Sequence, residues 1–398
     1  MLLPPALPLT AATPTPPRRV LPALVLAQLA GTSPWFAVNA VMPDLQLQYG
    51  WADAAVATLT SALQLGFIVG TLVFALLALA DRIPARRLFL ACAIAAALCT
   101  LAAAAMASSF TALLFWRALT GLCLAGIYPV GMKIAAQWFP RGLGAALGWL
   151  VGALVLGSAS SHGLRALGAA LPWQSVFIGV AAAAALAGVM VIVWVPEPPP
   201  RAGLAPLQLS ALASLWRDRR VRASVAGYFG HMWELYTVWV LVPLVLATRL
   251  QGVAVSAWAF AVLGAGAVGC VGGGLFASRL GGARVAAALL AASGLCCLAA
   301  PWALSAPLPL FLAWLLLWGV TVAGDSPQFS ALTAANAPRE AVGSVLTLTN
   351  SIGFAISVLS IECFVRLSQH ISLAALLPWL ALGPALGLLA LRPLLRHA

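Results

Sequence analysis

Three residues that can take part in proton chemistry recur at intervals of three within an apolar stretch. Tyr228, His231 and Glu234 are spaced so that a helix would place them on one face. The surrounding stretch, 223–248, is long enough to cross a membrane, which takes about 20 apolar residues. A histidine and a carboxylate near the middle of a membrane can accept and release a proton. The alternative is a neutral hydrogen-bonded pair of His231 and Glu234 that holds two helices together.

A second carboxylate stands beside a proline in the apolar stretch 308–335. Asp325 is followed by Ser326, Pro327 and Gln328. A proline inside a helix removes one backbone hydrogen bond and frees a carbonyl, so the sequence predicts a kink at Pro327 with polar groups exposed there. Asp325 is the second candidate for proton exchange, and its alternative role is a hydrogen bond between helices.

Polar residues also interrupt two further apolar stretches. Arg117, within 110–136, can bind an anionic group or pair with a carboxylate. Its alternative is to extend its guanidinium to the polar edge of the membrane. Within 20–42, four residues recur at i, i+4, i+7 and i+11, which a helix would align in one stripe: Gln28, Thr32, Trp35 and Asn39.

The amino-acid composition indicates what kind of secondary structure carries these residues. Of the 398 residues, 63% are hydrophobic and 8% are Asp, Glu, Lys or Arg, whereas a soluble domain has about 25% charged residues. The predicted fold class is therefore an all-α integral membrane protein with twelve transmembrane helices. Proline, glycine and charge clusters delimit the twelve stretches as 20–42, 55–80, 88–107, 110–136, 142–163, 173–195, 223–248, 254–277, 284–304, 308–335, 342–365 and 372–392.

The charged residues around these stretches predict the orientation of the chain. Arg165, Arg249 and Arg366 fall on one side, and Arg117 and Lys133 fall within stretches, which leaves 16 of the 21 Lys and Arg residues on the other side. Positive residues favour the cytoplasmic side. We therefore expect both termini in the cytoplasm, in a multi-pass protein of the bacterial inner membrane. The same distribution accounts for the net charge of +12 without a nucleic-acid partner.

The longest connection, 196–222, separates six stretches from six. We expect a disordered arm at 1–19, an N-terminal six-helix bundle at 20–195, a cytoplasmic central loop at 196–222 and a C-terminal six-helix bundle at 223–398. A shift of 198 residues aligns the two halves and indicates an internal repeat. The aligned pairs include Trp116 and Trp314, Gly121 and Gly319, Gly126 and Gly324, and Pro129 and Pro327.

Two six-helix halves, a basic central loop and termini on one side resemble the major facilitator superfamily of transporters. Residues 79–87 are similar to the family's G-x-L-x-D-R-x-G-R-R signature, although Leu77 and Pro84 replace its glycines. The second-half counterpart, 274–281, has Ser278 in place of the aspartate. The resemblance implies a gating loop whose charges pair with a neighbouring helix in one conformation, unless its arginines only set the orientation. Its residues are Asp81, Arg82, Arg86, Arg87, Ser278 and Arg279.

In that family the first, fourth, seventh and tenth helices line a central path for the substrate. The resemblance therefore implies a substrate cavity formed by Gln28, Thr32, Trp35, Asn39, Arg117, Tyr128, Tyr228, Trp233, Tyr236 and Gln328. The aromatic members suit an organic ring or an alkyl body. Arg117 favours an anion, whereas Glu234 and Asp325 tolerate a cation, so the charge of the substrate stays open.

The function that the resemblance implies is secondary transport of a small organic solute by alternating access. Glu234, His231 and Asp325 predict coupling to protons, and neither a cofactor nor a metal is expected. Uptake is favoured over efflux because Ala153 follows Gly152 where the family's antiporters have a Gly-Pro step. The alternatives are an efflux antiporter, a facilitative carrier, or an integral membrane enzyme or sensor. The expected partners are the solute, protons and lipid, with no nucleic acid, and the chain is expected to be a monomer.

Overall fold

The computed structural model describes residues 16–139, 143–197, 217–338 and 341–396. Within these ranges the chain is helical and contains no strand. Twelve helices are long and apolar enough to cross a membrane. In chain order they are α1 (Val20–Tyr49), α2 (Ala55–Leu76), α3 (Ala85–Ala105), α4 (Phe110–Trp138), α5 (Gly144–Leu167), α6 (Gln174–Trp194), α7 (Arg219–Ala247), α8 (Val253–Leu280), α9 (Gly282–Ser305), α10 (Leu308–Asn336), α11 (Val342–Leu367) and α12 (Leu373–Leu395).

The twelve predicted spans are confirmed, although several helix ends differ from the predicted limits by four to seven residues. Helix α1 continues beyond residue 42 and ends at Tyr49, where Gly50 adopts a left-handed conformation with φ of 67°. Helix α7 begins at Arg219, inside the predicted central loop, because the carboxylate of Asp218 accepts the backbone N–H groups of Arg220 and Val221 and caps the helix. Residues 1–15 of the predicted arm and 198–216 of the predicted loop lie outside the described residues.

Four of the helices are interrupted beside a proline. Helix α1 passes through a 3₁₀ turn at Ser33–Phe36, α4 is interrupted between Leu124 and Tyr128, and α12 passes through a 3₁₀ turn at Leu377–Ala381. In α10 the regular helix ends at Gly324 and resumes at Ser326, which confirms the kink predicted at Pro327. Proline cannot donate to the carbonyl four residues earlier.

Neighbouring side chains use two of the carbonyls that these prolines leave free. The carbonyl of Ala30, four residues before Pro34, accepts the Ser33 hydroxyl at 2.7 Å. The carbonyl of Ala323, four residues before Pro327, accepts the Cys270 thiol at 3.2 Å. Hydrogen bonding of these carbonyls within the protein allows the interruptions to exist at membrane depth, where water is absent.

The aligned glycines of the predicted repeat make the same contact in the two halves. Gly121 on α4 lies against the backbone carbonyl of Leu63 on α2, and Gly319 on α10 lies against the backbone carbonyl of Val262 on α8. A Cβ atom at either glycine would overlap the facing backbone. Small residues allow membrane helices to approach each other this closely, so the repeat preserves a helix-packing contact.

Two pairs of helices join the first six spans to the last six. Helix α5 packs along α8, where a Cβ atom on Gly148 or Gly152 would lie 3.3–3.4 Å from the carbonyls of Cys270 and Ala267. Glycine at these two positions allows α8 to approach α5 closely. Helix α2 packs against α11, and the rings of Phe67 and Phe354 are 4.8 Å apart there.

Candidate functional site

A small cavity with a volume of about 30 Å³ lies at the interface between the two halves. Helices α4 and α5 contribute to one wall, and α7, α10 and α11 contribute to the other. The cavity is lined by Tyr128, Val151, Leu154, Val155, Tyr228, Met232, Leu235, Tyr236, Trp239, Ala323, Ser326, Ser330, Asn350 and Phe354. Three of the four tyrosines of the chain are among them.

A cluster of aromatic rings from four helices closes one end of the cavity. Trp35 on α1 stacks on Tyr236 on α7 with ring centroids 5.8 Å apart, and Phe36 stacks on the same tyrosine at 6.4 Å. Phe67 on α2 and Phe354 on α11 complete the cluster, each within 6 Å of Trp35. Aromatic packing of this kind spans the interface between the halves.

His231 and Asp325 contact each other directly behind the cavity wall. Nδ1 of His231 on α7 lies 2.8 Å from Oδ1 of Asp325 on α10, and both side chains are buried. The ring of Tyr228, which lines the cavity, is 5.9 Å from the His231 ring. Ser326, the next residue after Asp325, also lines the cavity. The two residues predicted for proton exchange are therefore brought together, one residue layer away from the cavity.

Glu234 lies in a separate polar cluster. Its carboxylate accepts hydrogen bonds from the Trp318 indole at 2.7 Å, the Ser293 hydroxyl at 2.9 Å and the Cys297 thiol at 3.2 Å. These donors belong to α9 and α10. The suggested His231–Glu234 pair is therefore wrong, because His231 pairs with Asp325 while Glu234 is bound to other helices.

The guanidinium of Arg117 is completely buried and binds the interrupted part of α1. Its Nη1 donates to the carbonyl of Pro34 at 2.9 Å, and its Nη2 donates to the carbonyl of Trp35 at 2.5 Å. Among the described residues it makes no ion pair with a carboxylate. The expectations of a carboxylate partner and of extension to the membrane edge were both wrong, because two backbone carbonyls in the 3₁₀ turn take up its charge.

Most other predicted cavity residues do not border the cavity. Thr32 donates to the carbonyl of Gln28 at 2.8 Å, and Asn39 donates to Thr60 at 2.9 Å. Trp233 packs edge-on against a phenylalanine of α11, and Gln328 faces glycines of α8 and α9. The four residues of the predicted stripe on α1 are all buried, but none of them lines the cavity. The predicted residues that line the cavity are Tyr128, Tyr228 and Tyr236.

The predicted gating loop makes one contact between helices at its acidic residue. Asp81 forms an ion pair with Lys133 of α4 at 2.5 Å, so the lysine is paired and does not simply extend to the membrane edge. Arg86 lies 3.6 Å from Glu197 and also donates to the carbonyl of Ile192. The three remaining members, Arg82, Arg87 and Arg279, are exposed. Ser278 donates to a carbonyl of its own helix.

Three polar residues that line the cavity were not predicted. Ser326 and Ser330 are one helical turn apart on α10, and Asn350 lies on α11. The spacing of the two serines next to Pro327 is a signal that could have identified them. Asn350 carried no such signal, because α11 was not among the helices expected to line the path. Among the described residues no cluster of three His, Cys, Asp or Glu side chains could hold a metal ion.

Comparisons with known proteins agree with this architecture. Residues 24–361 match the model of the family described as Major Facilitator Superfamily. The chain is similar in structure to the human organic anion transporter MFSD10 (TETRAN), with a TM-score of 0.74 and 17% sequence identity, over 94% of this chain and 99% of that chain. At this identity the likeness concerns the fold. No curated protein matches the chain in sequence.

Proposed function

Because this chain belongs to the major facilitator superfamily, we propose that it carries a small organic solute through the cavity between its halves, coupled to protons. Membership of the family makes it a multi-pass membrane transporter. In the proposed cycle the bundles 20–195 and 223–398 rock about the cavity and expose it to each side of the membrane in turn. The proposed setting is the bacterial inner membrane, with both termini in the cytoplasm and one chain as the working unit.

The observation that carries the proton coupling is the contact between His231 and Asp325. Burying an acid and a base at membrane depth costs free energy, and residues of this kind mark functional sites. They belong to α7 and α10, and both helices also line the cavity. Movement of the second half of α10 relative to α7 would separate the pair, so its protonation and the shape of the cavity depend on each other. Glu234 is the alternative proton carrier.

The contact at the gating loop supports a cycle with two states. Asp81, in the connection after α2, pairs with Lys133 of α4. The aromatic cluster of Trp35, Phe36, Phe67, Tyr236 and Phe354 closes one end of the cavity. We propose that the two barriers open alternately and that the solute moves inward, as the absence of a Gly-Pro step on α5 favours.

A facilitative carrier is the second candidate, because a neutral hydrogen bond between His231 and Asp325 could hold α7 and α10 together without exchanging protons. An efflux antiporter is the third. These alternatives differ in their response to a pH gradient. Facilitated transport equilibrates the solute whatever the gradient is, whereas symport accumulates it on the alkaline side.

The test uses purified protein in liposomes and an aromatic compound that stabilises it in detergent, since a bound ligand raises the melting temperature by mass action. With an alkaline interior, the wild type should accumulate the radiolabelled compound above its outside concentration. Asp325→Asn should lose accumulation and keep exchange of labelled for unlabelled compound. Asp53→Asn, at an exposed position between α1 and α2, is the matched control and should behave as the wild type. Accumulation by Asp325→Asn, or none by the wild type, would reject proton coupling through this pair.

A further inference from the structure

The lining of the cavity contains no charged side chain. Its polar groups are the hydroxyls of Tyr128, Tyr228, Tyr236, Ser326 and Ser330 and the amide of Asn350. From this lining we infer that the substrate is an uncharged organic molecule with an aromatic or alkyl body and a hydrogen-bonding group at one end. The inference rests on the proposed function and adds the class of the substrate, which the sequence left open.

An anion in this cavity would find no cation to pair with. The basic residues of the described spans that could approach it, Arg117, Lys133 and His231, are engaged elsewhere, His231 by Asp325 at 2.8 Å. Arg117 binds the carbonyls of Pro34 and Trp35, on the far side of the aromatic cluster. Lys133 binds Asp81 at the end of the bundle. An ion that enters a membrane protein loses its hydration shell. Without a partner of opposite charge, most of that free-energy cost is not recovered.

An organic cation would meet a similar obstacle. Both buried carboxylates of the C-terminal half lie behind the wall and already have partners. Asp325 contacts His231 at 2.8 Å, and Glu234 accepts hydrogen bonds from three side chains. Aromatic faces attract cations only weakly, by about 0.5–2 kcal/mol. A cation would therefore have to draw one carboxylate out of its present contacts.

The positions of the lining residues suit a molecule that is polar at one end. Tyr236, Trp239 and Phe354 form the end of the cavity next to the aromatic cluster. Ser326 and Ser330 lie on the second half of α10, and Tyr128 lies on the second half of α4. These two helix halves are the ones nearer the Asp81–Lys133 contact. Among the described residues none of the three tyrosine hydroxyls has a hydrogen-bond partner, so they are available to a bound molecule. A ring would face the aromatic end and a hydroxyl or amide would face the serines.

The test compares three compounds that share a ring and differ in charge. At neutral pH, 2-naphthylmethanol is uncharged, 2-naphthoate is an anion and 2-naphthylmethylammonium is a cation. Calorimetric titration of the intact protein in detergent is expected to give the alcohol an affinity at least about tenfold higher than either ion, since a tenfold difference corresponds to about 1.4 kcal/mol. Equal or tighter binding of an ion, or binding of none of the three, would overturn the inference.

A charge placed in the lining tests where the compounds bind. Asn350→Asp puts a carboxylate at the cavity wall and should raise the affinity for the ammonium at least about tenfold while lowering that for the alcohol. Asn336→Asp makes the same change at the end of α10, away from the cavity, and should leave both affinities as in the wild type. If Asn350→Asp does not change the order of the three compounds, the inferred site is wrong.

Failure of this inference can be distinguished from failure of the proposed function. Binding in detergent requires neither a pH gradient nor turnover, so tighter binding of an ion would change the substrate class and leave transport untouched. Loss of gradient-driven accumulation with intact binding of the alcohol would instead reject proton coupling. The two experiments therefore address separate steps of the cycle.

Discussion

Nδ1 of His231 lies 2.8 Å from Oδ1 of Asp325, and the two residues approach each other across the interruption of α10. Asp325 is the single residue between the two regular segments of that helix. Any change in the angle of the kink would move its carboxylate relative to α7. The contact therefore lies at the interruption of α10.

The contact between His231 and Asp325 predicts an unequal response to loss of each partner. His231→Leu leaves a buried carboxylate without its partner and should lower the free energy of unfolding by about 3–5 kcal/mol. Asp325→Asn keeps an acceptor oxygen and should cost about 1 kcal/mol. The double variant should be more stable than His231→Leu alone, because the unpaired carboxylate is gone. Unfolding in mixed micelles measures all three.

The matched control is His162→Leu, which removes another buried histidine, on α5, whose Nε2 has no partner among the described residues. Its loss of stability should be smaller than that of His231→Leu. Additive losses in the double variant would show that the two side chains do not interact.

The two hydrogen bonds of Arg117 predict that this residue stabilises the interrupted part of α1. Arg117→Ala should lower the free energy of unfolding by about 3 kcal/mol or more, since each hydrogen bond to a charged group contributes about 1.5–3 kcal/mol. Arg117→Lys keeps the charge but not the two-pronged geometry, so its loss should be intermediate. Arg165→Lys alters an ion pair at the membrane edge and serves as the control. An unchanged melting temperature in Arg117→Ala would contradict the prediction.

The aligned glycines predict that one added methyl group disrupts helix packing in whichever half it is placed. Gly121→Ala and Gly319→Ala would each force a Cβ atom into a facing backbone carbonyl, and such overpacking costs about 1–3 kcal/mol or more. Gly272→Ala on α8 meets no heavy atom within 4 Å and should be as stable as the wild type. Thermal unfolding monitored by fluorescence detects the difference. Equal melting temperatures for the three variants would show that the helices can separate without cost.

The cluster around Glu234 predicts a structural contribution from the Trp318 indole. Trp318→Phe removes the shortest of its three donors, at 2.7 Å, and should lower the free energy of unfolding by about 1–3 kcal/mol. Trp302→Phe on α9 changes a side chain that is 73% exposed to the membrane and should have little effect. Chemical unfolding of the two variants side by side is the measurement. Similar stability of both would mean that the indole N–H does not hold Glu234 in place.

Several features of the fold could be predicted from the sequence because they depend on properties that act along the chain. A helix needs about 20 apolar residues to cross a membrane, and this requirement delimited the twelve spans. Pro327 cannot donate to Ala323 wherever α10 packs, so its kink was predictable. Gly121 and Gly319 matched because a repeated contact needs a repeated small residue.

The arrangement of the site was decided by the tertiary structure. A spacing of three placed Tyr228, His231 and Glu234 on one helical face, but a face of this width can contact more than one neighbouring helix. Tyr228 lines the cavity, His231 contacts α10, and Glu234 reaches α9 and α10. Periodicity gives the position of a side chain around its own helix. It does not give the rotation of that helix relative to its neighbours, which comes from packing between helices.

For Arg117, too, the sequence and the tertiary structure each determined a different part of the answer, here for a buried charge. The sequence by itself determined that an arginine in the fourth span needs a partner, because a charge at membrane depth is costly. It could not identify the partner, because the partners are the backbone carbonyls of Pro34 and Trp35, and every residue has a backbone carbonyl. Only the 3₁₀ turn of α1 directs these two carbonyls at the guanidinium. Sequence alone therefore determined which residues require partners, and the packing of distant helices decided what those partners are.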